Sequence, residues 1–163
     1  MAKYIISIIT LIILSATFSA TETAFTSLNT AKIKKQANDD VKHAKLVLSL
    51  ASQYDKLLST ILIGNNIANI ACTAIATIMF VNIFGAIGAT ISTIVITFLV
   101  LVFGEITPKN IAKEKDEEFA LFIAPFINVL MYIFAPLNFL FSLWKKLIGK
   151  LSKSDYEPEY TED

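Results

Sequence analysis

The sequence predicts an all-α integral membrane protein, and three observations carry that expectation. Of 163 residues, 55% are apolar and the mean hydropathy is +0.62, too apolar for a water-soluble chain of single-domain length. The charges are clustered, with none across residues 61–101. The uncharged runs also reach the roughly 20 residues that a helix needs to cross about 30 Å of hydrocarbon.

The first candidate span is residues 4–25. Met1-Ala2-Lys3 followed by an apolar run and Ser19-Ala20 has some features of a secretory signal. The run continues to Phe25 without a small-x-small cleavage site, so a retained span is expected. Residues 57–80 and 86–107 form the second and third candidates. Lysine placement sets their orientation. Lys32, Lys34, Lys35, Lys42, Lys45 and Lys56 lie between the first and second spans, which places that connection in the cytoplasm. Residues 81–85 carry no charge and belong outside; Lys109, Lys113 and Lys115 return the chain to the inner side. Three crossings of a cell membrane, with the N-terminus outside and the C-terminus cytoplasmic, satisfy every loop and leave only Lys3 misplaced.

Within the cytoplasmic connection, Ala44, Val47, Leu48, Leu50 and Ala51 recur at helical spacing and Asn38-Asp39-Asp40 interrupts the pattern. Residues 30–56 therefore read as a helical hairpin on the inner face. Residues 119–144 are apolar but have lysines beyond both ends and contain Pro125 and Pro136. Each proline removes a backbone donor, so the stretch is expected to break into pieces too short to cross. Interfacial helices over 117–151, anchored by Trp144 and by Lys145, Lys146, Lys150 and Lys153, fit better than a fourth crossing. Residues 152–163 have the composition of an acidic linker.

Composition excludes some functions. Every basic residue other than His43 is lysine, and the absence of any guanidinium argues against a nucleic-acid or phosphopeptide reader. Cys72 alone can form neither an internal disulfide nor a thiolate cluster. His43 sits among polar residues and is expected to be a solvated surface histidine. An intramembrane enzyme lacks its parts: no span pairs a nucleophile with histidine or lysine, and there is no HExxH motif and no pair of aspartates in the spans.

Polar residues inside spans are costly, which makes them the default functional candidates. In the first span Ser15, Ser19, Glu22 and Thr26 share one helix face, beside a small-residue stripe of Ala16, Ala20 and Ala24. The second span opens with Gly64-Asn65-Asn66-Ile67-Ala68-Asn69, and Asn65, Asn69 and Thr73 share a face. The third ends in Gly104-Glu105-Ile106-Thr107-Pro108-Lys109. With this topology all three clusters fall in the cytoplasmic half of the membrane. Pro108 has no amide hydrogen and so frees the carbonyl of Gly104, which no side chain shields. Hydroxyls, amide oxygens, a carboxylate and a bare carbonyl are the ligands that hard cations such as Mg²⁺ or Na⁺ select. Each group also has a plainer role: serine and threonine bonded to their own helix, asparagines joining helices, Glu22 and Glu105 reaching to water, Pro108 ending a helix.

Taken together, the motifs resemble a known family. Ser15-Ala16-Thr17-Phe18-Ser19-Ala20-Thr21-Glu22-Thr23-Ala24, Ile63-Gly64-Asn65-Asn66-Ile67-Ala68-Asn69 and Phe103-Gly104-Glu105-Ile106-Thr107-Pro108-Lys109 are similar, in order, to three signatures of the CNNM/CorC transmembrane domain. The resemblance covers residues 1–151. It implies a homodimeric magnesium transport protein with three spans, an inner hairpin and an interfacial belt helix. It further implies a dehydrated Mg²⁺ held by Ser15, Ser19, Asn65, Asn69 and the Gly104 carbonyl, with Glu22, Glu105 and Pro108 shaping the site. Efflux of Mg²⁺, exchanged for Na⁺, is the transport mode it suggests. Family members usually continue into a nucleotide-binding CBS pair, so the resemblance also implies that this chain is a piece of a longer protein. A Mg²⁺-sensing module that binds without transporting is the competing expectation, because the outer half of the spans is largely apolar.

Overall fold

The computed structural model describes residues 1–140, 143 and 144, and among these the regular structure is entirely helical. The long helix α1 (Ala2–Ser27) is followed by two short ones, α2 (Thr30–Asn38) and α3 (Ala44–Ser52). Helix α4 (Tyr54–Phe84) ends in a short 3₁₀ turn (Gly85–Ile87), and α5 (Gly88–Leu99) runs back. A π-helical segment (Val100–Ile106) joins α5 to α6 (Thr107–Glu114), and α7 (Asp116–Ile133) follows. The acidic stretch 152–163 and the far end of the expected interfacial helices lie outside the described residues.

Helices α1 and α4 pack antiparallel along their whole length. Contacts at successive levels fix the register: the Cys72 thiol donates to the Ile8 carbonyl (4.0 Å), Ser15 bonds Asn65, Phe18 covers Gly64, and Thr26 meets Tyr54 (3.1 Å). Gly64 is required here, because a Cβ at that position would stand 2.3 Å from the Phe18 ring. The reversal after α4 needs glycine twice. Gly85 adopts φ +65°, which side chains disfavour, and a Cβ on Gly88 would strike the Phe80 carbonyl at 2.3 Å. Ser92, buried on α5, then lies 3.4 Å from the Thr77 hydroxyl of α4.

Both Ala2–Ser27 and the joined run Tyr54–Glu114 are long and apolar enough to cross a membrane. Ile6, Ile13, Ile70, Ile94 and Phe98 are each more than 60% exposed. In water such a surface would drive aggregation; in lipid it meets a solvent of its own polarity.

At the other end of the bundle, α2 and α3 are separated by a break containing Asp40 (φ 54°) and His43 (φ 67°). Asn29 starts α2 by accepting from the amides of Ala31 and Lys32. The apolar faces of both short helices (Ile33, Val47, Leu50) pack with Phe18, Phe25, Leu57 and Ile61 of the long helices and Ile123 and Ile127 of α7. Asp116, Glu117 and Glu118 open α7 where its dipole favours negative charge. Lys32 of α2 reaches Glu117 at 2.9 Å, and that hydrogen bond with its accompanying charge holds the Lys32 ammonium above the usual lysine range.

Two expectations need correction here. Pro125 does not break the apolar stretch: it lies inside α7, which runs unbroken for 18 residues to Ile133, and the first interruption is the turn at Phe134 ahead of Pro136. Nor is His43 a freely solvated side chain: it is half-buried. Its Nδ1 lies 3.0 Å from the carbonyl of Leu121, which is four residues before Pro125 and is the oxygen that proline deprives of its helical donor. The histidine supplies the missing N–H, which is why α7 tolerates the proline.

Candidate cation site

The site forms where α1, α4 and the π segment meet. The Ser15 hydroxyl donates to Oδ1 of Asn65 at 2.8 Å. Gly104 faces the same hydroxyl, since a Cβ there would lie only 3.1 Å from the Ser15 oxygen. Ser15 and Gly104 are buried and Asn65 half-buried. These three residues, drawn from separate elements, lie at one level.

Ser19 and Asn69 flank that level. The α1–α4 register places Ser19 one turn to one side of the Ser15–Asn65 pair and Asn69 one turn to the other, about 6 Å each along the axis. Helical side chains lean toward their own N-terminus, so in antiparallel helices both residues lean toward the central level. The Ser19 oxygen and Oδ1 of Asn69 are each buried without a hydrogen-bond partner among the described residues. Such a group costs about 1–3 kcal/mol when nothing satisfies it.

The other hydroxyls on these helices behave differently. Thr17, Thr26 and Thr73 each donate to the carbonyl one turn back in their own helix, at 2.7–2.9 Å. Thr26, which shares the face of Ser15 and Ser19, is therefore accounted for by its own helix and by Tyr54. Glu22 is engaged too: its carboxylate pairs with Lys109 of α6 at 3.2 Å and ties the end of α1 to α6. The same junction is closed by Ala20 and Ala24 packed on Ala112. Glu105 instead faces a cleft of about 190 Å³ that it shares with Asn69, Thr73 and Thr97.

Backbone geometry around Pro108 is the feature that sequence reasoning located but did not describe. Over Val100–Ile106 the helix widens to π geometry, and the amide of Thr107 donates to Val102, five residues back. In an α-helix that amide would serve Phe103, and the next would serve Gly104, but position 108 has no amide to give. No side chain among the described residues donates to the Gly104 carbonyl, in contrast with Leu121. Also among the described residues, no three of His, Cys, Asp or Glu are grouped to hold a metal ion. A cation here would depend on hydroxyl, amide and carbonyl oxygens.

Fold and site together define a helical membrane domain with an oxygen-rich cluster between its long helices. Residues 5–163 match the family described as CNNM, the cyclin M transmembrane N-terminal domain, and the chain belongs to that family. Similar proteins include a UPF0053 protein of Haemophilus influenzae, 38% identical over 91% of this chain and 35% of its own length. The UPF0053 inner membrane protein YfjD of Escherichia coli is 36% identical over 83% of this chain and 33% of its own. Protein MAM3 of Saccharomyces cerevisiae is 30% identical over 83% of this chain and 19% of its own length. The chain thus spans about a third of these two bacterial relatives.

Proposed function

We propose that this domain carries Mg²⁺ across the membrane by way of the oxygen cluster around Ser15, Asn65 and Gly104. The observation that carries the reading is the pair of buried, unsatisfied oxygens on Ser19 and Asn69, one on each side of that cluster. Mg²⁺ takes six oxygens at about 2.0–2.1 Å, and the partnerless side-chain oxygens of Ser19 and Asn69, with the Gly104 backbone between them, are ligands of the kind such an ion selects. The flanking arrangement favours successive resting places one helical turn apart, Ser19 to the central level to Asn69 and Glu105, over a single closed cage.

The topology that goes with this function has three crossings, α1, α4 and α5 with its π extension, and the hairpin of α2 and α3 on the cytoplasmic side. Helix α7 acts as a belt at the inner surface. Its start is tied to α2 through Lys32–Glu117, and beyond its end Asn138 donates to Thr60, near the same end of α4 (2.9 Å). Family membership supports efflux exchanged for Na⁺, a homodimer, and a cytoplasmic CBS pair in the longer protein.

A sensor that binds Mg²⁺ without moving it is the second reading. It is favoured by a cleft of about 390 Å³ in the opposite half, whose walls include Ile5, Ile12, Met79, Leu99 and Phe103 and offer no polar side chain. Against it stands a series of hydroxyls (Thr73, Thr77, Ser92, Thr97) leading away from Asn69 along α4 and α5. Thermal unfolding in Mg²⁺ tests the site: Ser19→Ala and Asn69→Ala should each lose the ion's protection while the fold persists, and full protection in both would reject it. Mg²⁺ flux into liposomes by the full-length protein separates transport from sensing.

A further inference from the structure

A second cleft, of about 380 Å³, lies where α4 begins, between that end of the helix and the region from α7 to Asn138. Its position relative to the hydrocarbon follows from the sequence alone. Lys56, beside Asp55, is the last charged residue before a run from Leu57 to Gly104 that carries none, so the cleft straddles the boundary between headgroups and acyl chains. Its lining mixes two kinds of group. Lys56, Gln53, Asn128 and Asn138 present nitrogen and oxygen atoms; Met131, Ala135 and Phe139 present carbon.

Two groups in this cleft lack partners among the described residues. Asn138 spends its amide N–H on the Thr60 hydroxyl at 2.9 Å, which leaves its Oδ1 buried with nothing to accept from. Lys56, exposed at the rim, forms no ion pair among the described residues. An ammonium at the headgroup level attracts an anion. A buried carbonyl oxygen requires a donor. One molecule carries both complements and an apolar tail: a glycerophospholipid whose phosphodiester is anionic and whose headgroup bears hydroxyls. We propose that the cleft is a binding site for phosphatidylglycerol, with the phosphate on Lys56, a headgroup hydroxyl on Asn138 Oδ1, and the upper acyl chain over Met131, Ala135 and Phe139. The site does not depend on which face of the membrane α4 begins at, nor on the cation reading. Because Asn138 also holds Thr60, an occupied site would lock the residues after α7 to the same helix that carries Asn65 and Asn69.

Native mass spectrometry of the full chain released from micelles tests this, with dioleoyl phosphatidylglycerol, phosphatidic acid and phosphatidylcholine as probes. Phosphatidylglycerol should be retained over phosphatidylcholine. Lys56→Gln should lower its affinity about fivefold, the effect of one lysine at a membrane surface, while Lys42→Gln, at an exposed turn of the hairpin, should not. Asn138→Leu should weaken phosphatidylglycerol but leave phosphatidic acid, which has no headgroup hydroxyl. Equal retention of phosphatidylglycerol and phosphatidylcholine, or equal effects of the two lysine changes, would overturn the proposal. Competition by glycerol 3-phosphate as strong as by the lipid would assign the cleft to a soluble phosphate instead and overturn it equally.

Discussion

Leu121 and Gly104 each stand four residues before a proline, and the protein treats their carbonyls differently. Leu121 receives an N–H from His43. Gly104 receives no side-chain donor and faces a serine whose proton is already given to Asn65. The first arrangement repairs a helix; the second leaves the Gly104 carbonyl to the backbone alone, next to the Ser15–Asn65 pair. Removing the repair should expose its value. His43→Ala should destabilise the domain by about 1–3 kcal/mol, the cost of a part-buried carbonyl left unpaired, with some added strain because position 43 has φ 67°. Combining it with Pro125→Ala, which restores an amide to the helix, should recover the hydrogen-bond share and leave only the strain. Additive losses in an unfolding titration of the two single variants and the double would show that His43 and Pro125 are not coupled. None of this was legible in the sequence, where His43 sits among lysines and polar residues, because the pairing spans 78 residues and depends on how α7 docks. Ser15, Asn65 and Gly104 were picked out in the sequence as members of a group with Ser19 and Asn69, because polar residues on shared helix faces of three spans fall at one depth, whereas hydroxyls taken singly are common in the first span.

At the scale of the element, the π segment decides how α5 ends. Of the expected runs, 4–25 and 57–80 fall within α1 and α4, while 86–107 begins in the 3₁₀ turn, two residues ahead of α5, and ends at the first residue of α6. Periodicity also placed a helix over Ala44–Ala51, where α3 buries Ala44, Val47 and Leu50. It could not reveal the widened turn, because a π turn is a short insertion within a longer apolar helix and seven apolar residues carry no pattern long enough to show it. Pro108 was the local clue. If the proline sustains the π turn, Pro108→Ala should let α geometry propagate through Val100–Ile106, supply an amide to the Gly104 carbonyl, and remove that oxygen from any ion. The expected result is at least tenfold weaker Mg²⁺ protection with apo stability equal or higher, since proline is disfavoured in helix interiors by about 3 kcal/mol. Thermal shifts across a Mg²⁺ titration measure both. Undiminished protection would mean that the Gly104 carbonyl is not a ligand.

For the whole molecule, the open question is which ends share a side of the membrane, and the packing gives a definite expectation. Helix α4 is 31 residues long, about 46 Å at 1.5 Å per residue, so its two ends must lie on opposite sides if it crosses. Helix α7 is 18 residues long, about 27 Å, which would nearly suffice to cross. Its partners argue otherwise. Glu117 near its start bonds α2, Leu121 bonds the turn before α3, and Asn138 past its end bonds Thr60, only six residues into α4. Both ends of α7 are therefore held at the end of the bundle where α4 begins, and neither reaches the Gly85 end. Single cysteines in a Cys72→Ala background test this directly, because buried Cys72 is the one native thiol. On intact cells a membrane-impermeant maleimide should label Asn82→Cys. Lys42→Cys and Leu137→Cys should label only after permeabilisation. Labelling of Asn82→Cys and Lys42→Cys from one side would deny that α4 crosses, and the reverse pattern would invert the orientation drawn from the lysines. Labelling of Leu137→Cys together with Asn82→Cys would make α7 a fourth crossing; it would also contradict the Asn138–Thr60 bond, since no side chain near the end where α4 begins could then reach position 138.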